Sequence, residues 1–183
     1  MTVITRLYEV ILPMALTRLN HKSGFIIIFL VTAGLLSFGY FLEYYYHLIP
    51  CPLCMTQRLC FGVICLLALA GLLFSNPNKG YPKTYGVLLF TSLLGAFLAG
   101  RQIWIQHLPE DRVPACGPDL SYLIQEFPLA DVLTAMFAGD GNCAEAVWVF
   151  LGLNVAEWSF VWFAIIGIFT ILQLIQKKPQ NSF

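Results

Sequence analysis

The sequence predicts an all-α membrane protein, a bundle of four transmembrane helices with a long outer loop between helices 3 and 4. Three observations predict it. Of the 183 residues, 58% are apolar and only 11% charged, against about 45–50% and about 25% in an ordinary soluble domain. Four apolar stretches approach the roughly 20 residues that a helix needs to cross a hydrocarbon core of ~30 Å. Lys and Arg cluster beside alternate ends of those stretches, as they do in multi-pass proteins. Ten Lys plus Arg balance ten Asp plus Glu, so there is no basic field for nucleic acid, and no phosphate-cradling Gly motif occurs.

In chain order, Ile4, Leu7, Tyr8, Ile11, Leu12 and Ala15 recur at helical spacing within residues 1–23. They read as a short helix lying on the membrane, or as a stripe packed on the bundle. The expected spans are 24–42, 55–74, 85–105 and 158–175, joined by segments 43–54, 75–84 and 106–157 and followed by a tail at 176–183. Tyr44, Tyr45, Tyr46, Trp104, Trp158 and Trp162 gather near span ends, where amphipathic rings favour the headgroup layer. Arg6, Arg18, Lys22, Lys79, Lys83, Lys177 and Lys178 lie on one side, which makes both termini cytoplasmic and turns the first and third connecting segments outward. Thr2 to Asn20 lacks a compact apolar run with a small-residue cleavage site, so no cleaved leader is expected. In the long loop, Leu120, Leu123, Ile124 and Phe127 form one helical stripe. Leu129, Val132, Leu133, Met136 and Phe137 form another after Pro128, and Gly139 and Gly141 then release the chain. That loop is read either as a packed subdomain or as a helix tethered to the outer leaflet. No repeat or linker divides the chain, so a single membrane domain over 1–183 is expected.

The six cysteines sort by this topology. Cys51 and Cys54 lie at the outer mouth of the second span, and Cys116 and Cys143 lie in the long outer loop. Cys60 and Cys65 lie within the span and read as small apolar packing residues. The side that faces away from the cytosol permits disulfides. Cys51-Pro52-Leu53-Cys54 starts a helix, with Pro52 suited to its first turn. Unpaired amides and the positive dipole there favour the thiolate that attacks or leaves in disulfide exchange. Arg58 follows Cys54 by one helical turn inside the apolar stretch. A charge there calls for a partner, and a Cys54 thiolate or an oxygen of a bound ligand is the natural one, snorkelling to headgroups being the bland alternative. Arg101, near the outer end of the third span, reads equally well as a helix C-terminal cation.

Two dithiol pairs on one face can pass a disulfide between them, and turnover then needs a two-electron acceptor. No flavin or nicotinamide fingerprint, no iron–sulfur cysteine run and no haem ligand pair is present. His21, His47 and His107 have no partner at ligand spacing, so a metal site is not expected. A quinone dissolved in the membrane fits both the location and the chemistry.

Cys51-Pro52-Leu53-Cys54 with Gln57-Arg58, Cys116-Gly117-Pro118, Phe127-Pro128-Leu129, Gly141-Asn142-Cys143-Ala144-Glu145 with Trp148, Phe150-Leu151-Gly152-Leu153 and Trp158-Ser159 together resemble the disulfide bond formation protein B (DsbB) family. The resemblance runs from about the first span to the last. It implies a four-helix protein of the bacterial inner membrane, with its long loop in the periplasm, that reoxidises the periplasmic thiol oxidase DsbA and passes electrons to ubiquinone or menaquinone. It also implies disulfides Cys51–Cys54 and Cys116–Cys143. Cys116 would be attacked by the partner thiolate and Cys143 would be the departing sulfur. Cys54 would face the quinone, with Arg58 holding the thiolate or a quinone oxygen. Relatives often carry His after the position of Arg101, whereas this chain has Gln102. Gln102 can donate a hydrogen bond to a quinone oxygen but cannot shuttle a proton as imidazole does. His107 is a weaker substitute.

Other readings compete. A vitamin K epoxide reductase-like enzyme shares the chemistry, but there the C-x-x-C follows the loop pair. A tetraspanin- or claudin-like scaffold would keep its disulfides inert and gives no reason for Arg58. A zinc site from Cys51, Cys54, Cys116 and Cys143 matches no usual spacing.

Overall fold

The structure is a computed structural model, and it describes residues 21–47, 50–74, 80–117, 122, 125–144 and 148–175. The expected helix within 1–20, most of the first loop stripe and the tail at 176–183 lie outside the described residues. Four helices are long and apolar enough to cross a membrane: α1 (His21–Tyr46), α2 (Pro52–Phe74), α3 (Gly80–Gln106) and, last in the chain, α5 (Val155–Ile175). The fold class is therefore the one that the apolar stretches imply, a helical membrane protein.

Each helix extends beyond the apolar run that announces it. α1 continues through Tyr46 and carries Glu43 inside the helix rather than in a loop. α2 begins at Pro52, where a missing amide costs nothing because first-turn amides have no helical partner. α3 packs most extensively on α5, α1 on α2, and α2 on α3, while α1 and α5 scarcely touch. Short connections make α1, α2 and α3 successively antiparallel, and Asn154 Nδ2 donates to Gln106 Oε1 at 3.0 Å, which sets the start of α5 beside the end of α3. The end of α1, the start of α2, the end of α3 and the start of α5 therefore meet at one end of the bundle.

Mid-bundle, Phe61 of α2 stacks on Phe163 of α5 with ring centroids 4.0 Å apart. Gly95 of α3 lets that ring approach, since a Cβ there would fall inside the Phe163 ring contact. Ser92 donates to the Phe163 carbonyl at 2.6 Å.

The segment between α3 and α5 folds over the shared end of the bundle. It contains a 3-10 turn (Glu110–Arg112), helix α4 (Leu129–Ala138), a second 3-10 turn (Gly141–Ala144) and a hairpin of β1 (Val149–Phe150) and β2 (Leu153–Asn154). Pro128 precedes α4 and Gly139, at φ 72°, ends it. Val132 is its buried residue, whereas Leu129, Leu133 and Phe137 are exposed. The hairpin pairs Val149 with Asn154 and Phe150 with Leu153. Its turn residues Leu151 and Gly152 have φ of 54° and 80°, the mirror-image turn that matches strand twist.

Asn154 then starts α5 with a reciprocal cap. Its Oδ1 accepts from the Glu157 amide at 3.0 Å, and a Glu157 carboxylate oxygen accepts from the Asn154 amide at 2.7 Å.

Candidate active site

The site is built on the first turn of α2. Cys51 immediately precedes the helix, and its carbonyl accepts from the Met55 amide at 3.1 Å. Its sulfur accepts from the Cys54 amide at 3.3 Å, as a capping side chain would. The two sulfurs are thereby brought to 2.9 Å.

From α3, Gln102 reaches both sulfurs. Its Nε2 donates to Cys54 Sγ at 3.2 Å and lies 3.5 Å from Cys51 Sγ. Its amide orientation follows from Gln57, whose Nε2 donates to Gln102 Oε1 at 2.7 Å. Gln102 thus faces the cysteines, and Gln57, which the sequence noted only as part of a motif, fixes which way its amide points. His107 does not join them. It is exposed, and its Nδ1 lies 2.8 Å from the Ile103 carbonyl of its own helix.

The loop supplies a third sulfur. Cys143 sits in the second 3-10 turn, fully buried, in the same buried cluster as Cys51. The Cys51 side chain, with the Asp140 and Leu53 backbone, holds the Cys143 thiol below its ordinary value despite burial and the Asp140 carboxylate. Cys51 is pushed the other way by the Cys143 and Cys54 side chains and by burial.

Cys116 is exposed, next to this turn rather than inside it. A Cβ on Gly141 would lie 2.6 Å from the Pro114 carbonyl oxygen and 3.0 Å from Cys116 Sγ. The Gly141 amide donates to the Ala115 carbonyl at 3.2 Å. Asp140 Oδ2 accepts from the Gly117 amide at 3.2 Å, and Asn142 Nδ2 donates to the Gly117 carbonyl at 3.3 Å. Asp140 and Asn142, to which sequence reasoning gave no role, stitch the segment holding Cys116 to the Cys143 turn.

Two side chains dock the loop on the bundle. The Thr56 hydroxyl is shared between the Pro52 carbonyl of its own helix at 2.9 Å and the Met136 carbonyl of α4 at 3.2 Å. Arg101 Nε and Nη2 donate to the Ala138 carbonyl at 2.9 and 2.7 Å. Arg101 is therefore a helix C-terminal cation, but for α4 rather than for its own helix. Gly139 is required beyond its φ, because a Cβ there would lie 2.6 Å from Leu53 Cδ1.

Arg58 has a partner that sequence reasoning did not name. One guanidinium nitrogen donates to Glu43 Oε2, another to the Gly39 carbonyl at 3.0 Å, and its central carbon lies 5.2 Å from the Tyr40 ring centroid. All three come from α1.

Beside Cys54 is a cavity of about 680 Å³, walled by α1, α2, α3, α5 and the hairpin. Cys51, Cys54, Gln57, Arg58, Glu43 and Gln102 give it a polar end, and Phe61, Trp148 and Trp162 are among its apolar walls.

The model of the family "Disulfide bond formation protein DsbB" matches residues 21–173. That range holds α1, α2 and α3 entire, α5 but for its last two residues, and every cysteine. The chain belongs to the DsbB family. Curated relatives named disulfide bond formation protein B agree. The one from Hahella chejuensis is 45% identical over 145 residues, covering 79% of this chain and 88% of the relative. The one from Saccharophagus degradans is 42% identical over 160 residues, covering 86% and 95%. A third, from Aromatoleum aromaticum, is 40% identical over 159 residues, covering 87% and 95%. As a DsbB-family protein with four apolar spans, the chain is a multi-pass membrane oxidoreductase of disulfide bond formation, and the clustered cysteines are the groups suited to that chemistry.

Proposed function

We propose that this protein is a quinone-dependent thiol oxidase of the bacterial inner membrane, with both termini cytoplasmic and the cysteine-bearing end periplasmic. Its work is to reoxidise a DsbA-like thiol oxidase. The observation that carries the reading is that Cys143 of the loop and Cys51 of the helix mouth lie in one buried cluster, with Cys116 beside the same loop turn. The Lys and Arg distribution supports the orientation.

The relay starts from disulfides Cys116–Cys143 and Cys51–Cys54. A thiolate of the reduced partner attacks Cys116, which is exposed, and Cys143 leaves as a thiolate. The partner's second thiol attacks the mixed disulfide, so the partner departs oxidised and Cys116 is left reduced. Cys143, favoured as the anion, attacks Cys51, and Cys54 leaves as a thiolate toward the Gln102 amide. Cys116 then displaces Cys51 from Cys143, which restores the loop disulfide and leaves Cys51 and Cys54 reduced. Each exchange forms one S–S bond and breaks one.

The cavity suits a quinone by its donor set, with Arg58 and Gln102 as hydrogen-bond donors at the sulfur end and aromatic walls elsewhere. A bound ubiquinone or menaquinone supplies the two-electron acceptor that the chain itself lacks. The residues bind and orient it, and the buried loop turn over Cys51 excludes water from the sulfurs.

The test mixes the purified protein in detergent with a reduced periplasmic thiol oxidase and a soluble quinone analogue, following quinone absorbance and partner thiols together. Quinone-dependent thiol loss that disappears in Cys54→Ser is the expected result. Intact, unreactive disulfides with no turnover would return the chain to an inert scaffold.

A further inference from the structure

Among the described residues lining the cavity, Glu43 and Arg58 form an ion pair, and the disulfide relay uses no carboxylate. Glu43 lies one turn after Gly39 on α1, and both present oxygens to the Arg58 guanidinium. Arg keeps its proton at any ordinary pH, so the charge at this end of the cavity depends on what faces it. We propose that Glu43 is a positioning and charge-balancing residue that makes the cavity accept neutral quinones and exclude acidic hydroxyquinones, which are anions at neutral pH. The inference rests on the quinone reading above and names the class of quinone admitted.

Charge matters more here than at a surface. The pair is partly shielded, with side-chain exposures of 20% for Arg58 and 29% for Glu43, and a charge in such surroundings acts through a lower effective dielectric than in water. With Glu43 present, the pair is neutral and an anion entering beside Arg58 also meets a carboxylate. Glu43→Gln removes one negative charge but keeps a carbonyl oxygen able to accept the same bond from Arg58, so the guanidinium stays on α1. The cavity then becomes one unit more positive whether Cys54 is a thiol or a thiolate. Gly39 and Tyr40 still hold Arg58, which separates charge from placement.

Trp148 and Trp162 line the cavity, so equilibrium binding to the full-length protein in detergent can be read from quenching of tryptophan fluorescence, independently of turnover. The ligands are a hydroxynaphthoquinone anion and its neutral methoxy counterpart. The parent should prefer the methoxy compound. Glu43→Gln should shift the ratio of the two Kd values toward the anion by roughly tenfold, as expected for one unbalanced charge a few ångströms away. Glu43→Asp should keep the parent ratio. If both compounds bind and Glu43→Gln leaves the ratio where it was, or if Glu43→Asp shifts it equally, the inference is overturned while the quinone reading stands. If neither compound binds the parent, both are overturned. Should Glu43→Gln not fold, Arg58→Gln carries the test with the opposite sign, moving the ratio away from the anion.

Discussion

Replacing Gln102 with Leu keeps the side-chain bulk and removes the amide that serves both sulfurs. The loss is a bond of 3.2 Å to Cys54 Sγ and a longer approach of 3.5 Å to Cys51 Sγ. A hydrogen bond to a charged group contributes about 1.5–3 kcal/mol, so any step in which Cys54 carries negative charge should slow by about 10- to 150-fold. Gln57, itself buried, loses its acceptor at the same time. Leaving its amide unpaired costs about 1–3 kcal/mol of stability. The melting temperature of Gln102→Leu should therefore fall as well. The double variant Gln57→Leu with Gln102→Leu removes both polar partners, so it should recover much of the stability and none of the rate. The assay is the alkylation rate of Cys54 at fixed pH, in a background where the other five cysteines are Ala, read beside quinone-dependent thiol oxidation by the otherwise intact protein. If the double variant oxidises thiols as fast as the parent, the amide does not support charge on Cys54 and the reasoning fails.

Cys51→Ala should raise the titration of Cys143, because its donor is gone; thiolate ultraviolet absorbance against pH reads this. In the parent, the lowered value means that docking of the loop is strongest above the ordinary thiol range and is lost as pH falls through the value of folded Cys143. Arg101→Ala removes two bonds to the Ala138 carbonyl, so disulfide transfer from Cys51–Cys54 to the loop should slow roughly tenfold, while a small dithiol that reduces Cys51–Cys54 directly is oxidised at the parent rate. Gly95→Ala drives a methyl into the Phe163 ring and should lower stability by about 1–3 kcal/mol in thermal unfolding. Gly34→Ala, with no atom within 4 Å of its added carbon, should leave it unchanged or raise it.

The helices were legible because apolar length is a strong signal, and the C-x-x-C start of α2 because Pro52 and the amide-rich first turn leave little choice of geometry. Arg58 stood out as a charge where charge is costly. Glu43 did not, because it follows Leu42, where the apolar run ends, and only the continuation of α1 through Tyr46 turns it toward Arg58. Its signal would have been an acid one turn beyond Gly39 at the same end of the bundle as an intramembrane Arg. The hairpin at Val149–Asn154 was illegible for another reason. Strands of two residues offer no alternation, and Leu151-Gly152 is a weak turn signal. Asp140 and Asn142 carry no periodicity, and their role appears only once residues 115–117 lie beside them. Arg101 was half legible: its capping chemistry follows from its charge, but which helix it caps depends on how the loop folds back.

α1 and α5 both wall the cavity, yet they barely meet, which leaves a seam between them on that side of the bundle. An apolar molecule entering along that seam arrives by sideways diffusion within the bilayer and never crosses water. Its supply is then set by its mole fraction among the lipids. Diluting the membrane with added lipid or detergent should starve the site even when the aqueous volume and the total amount of acceptor are unchanged, so kinetic constants for such a ligand have meaning only per lipid, not per litre.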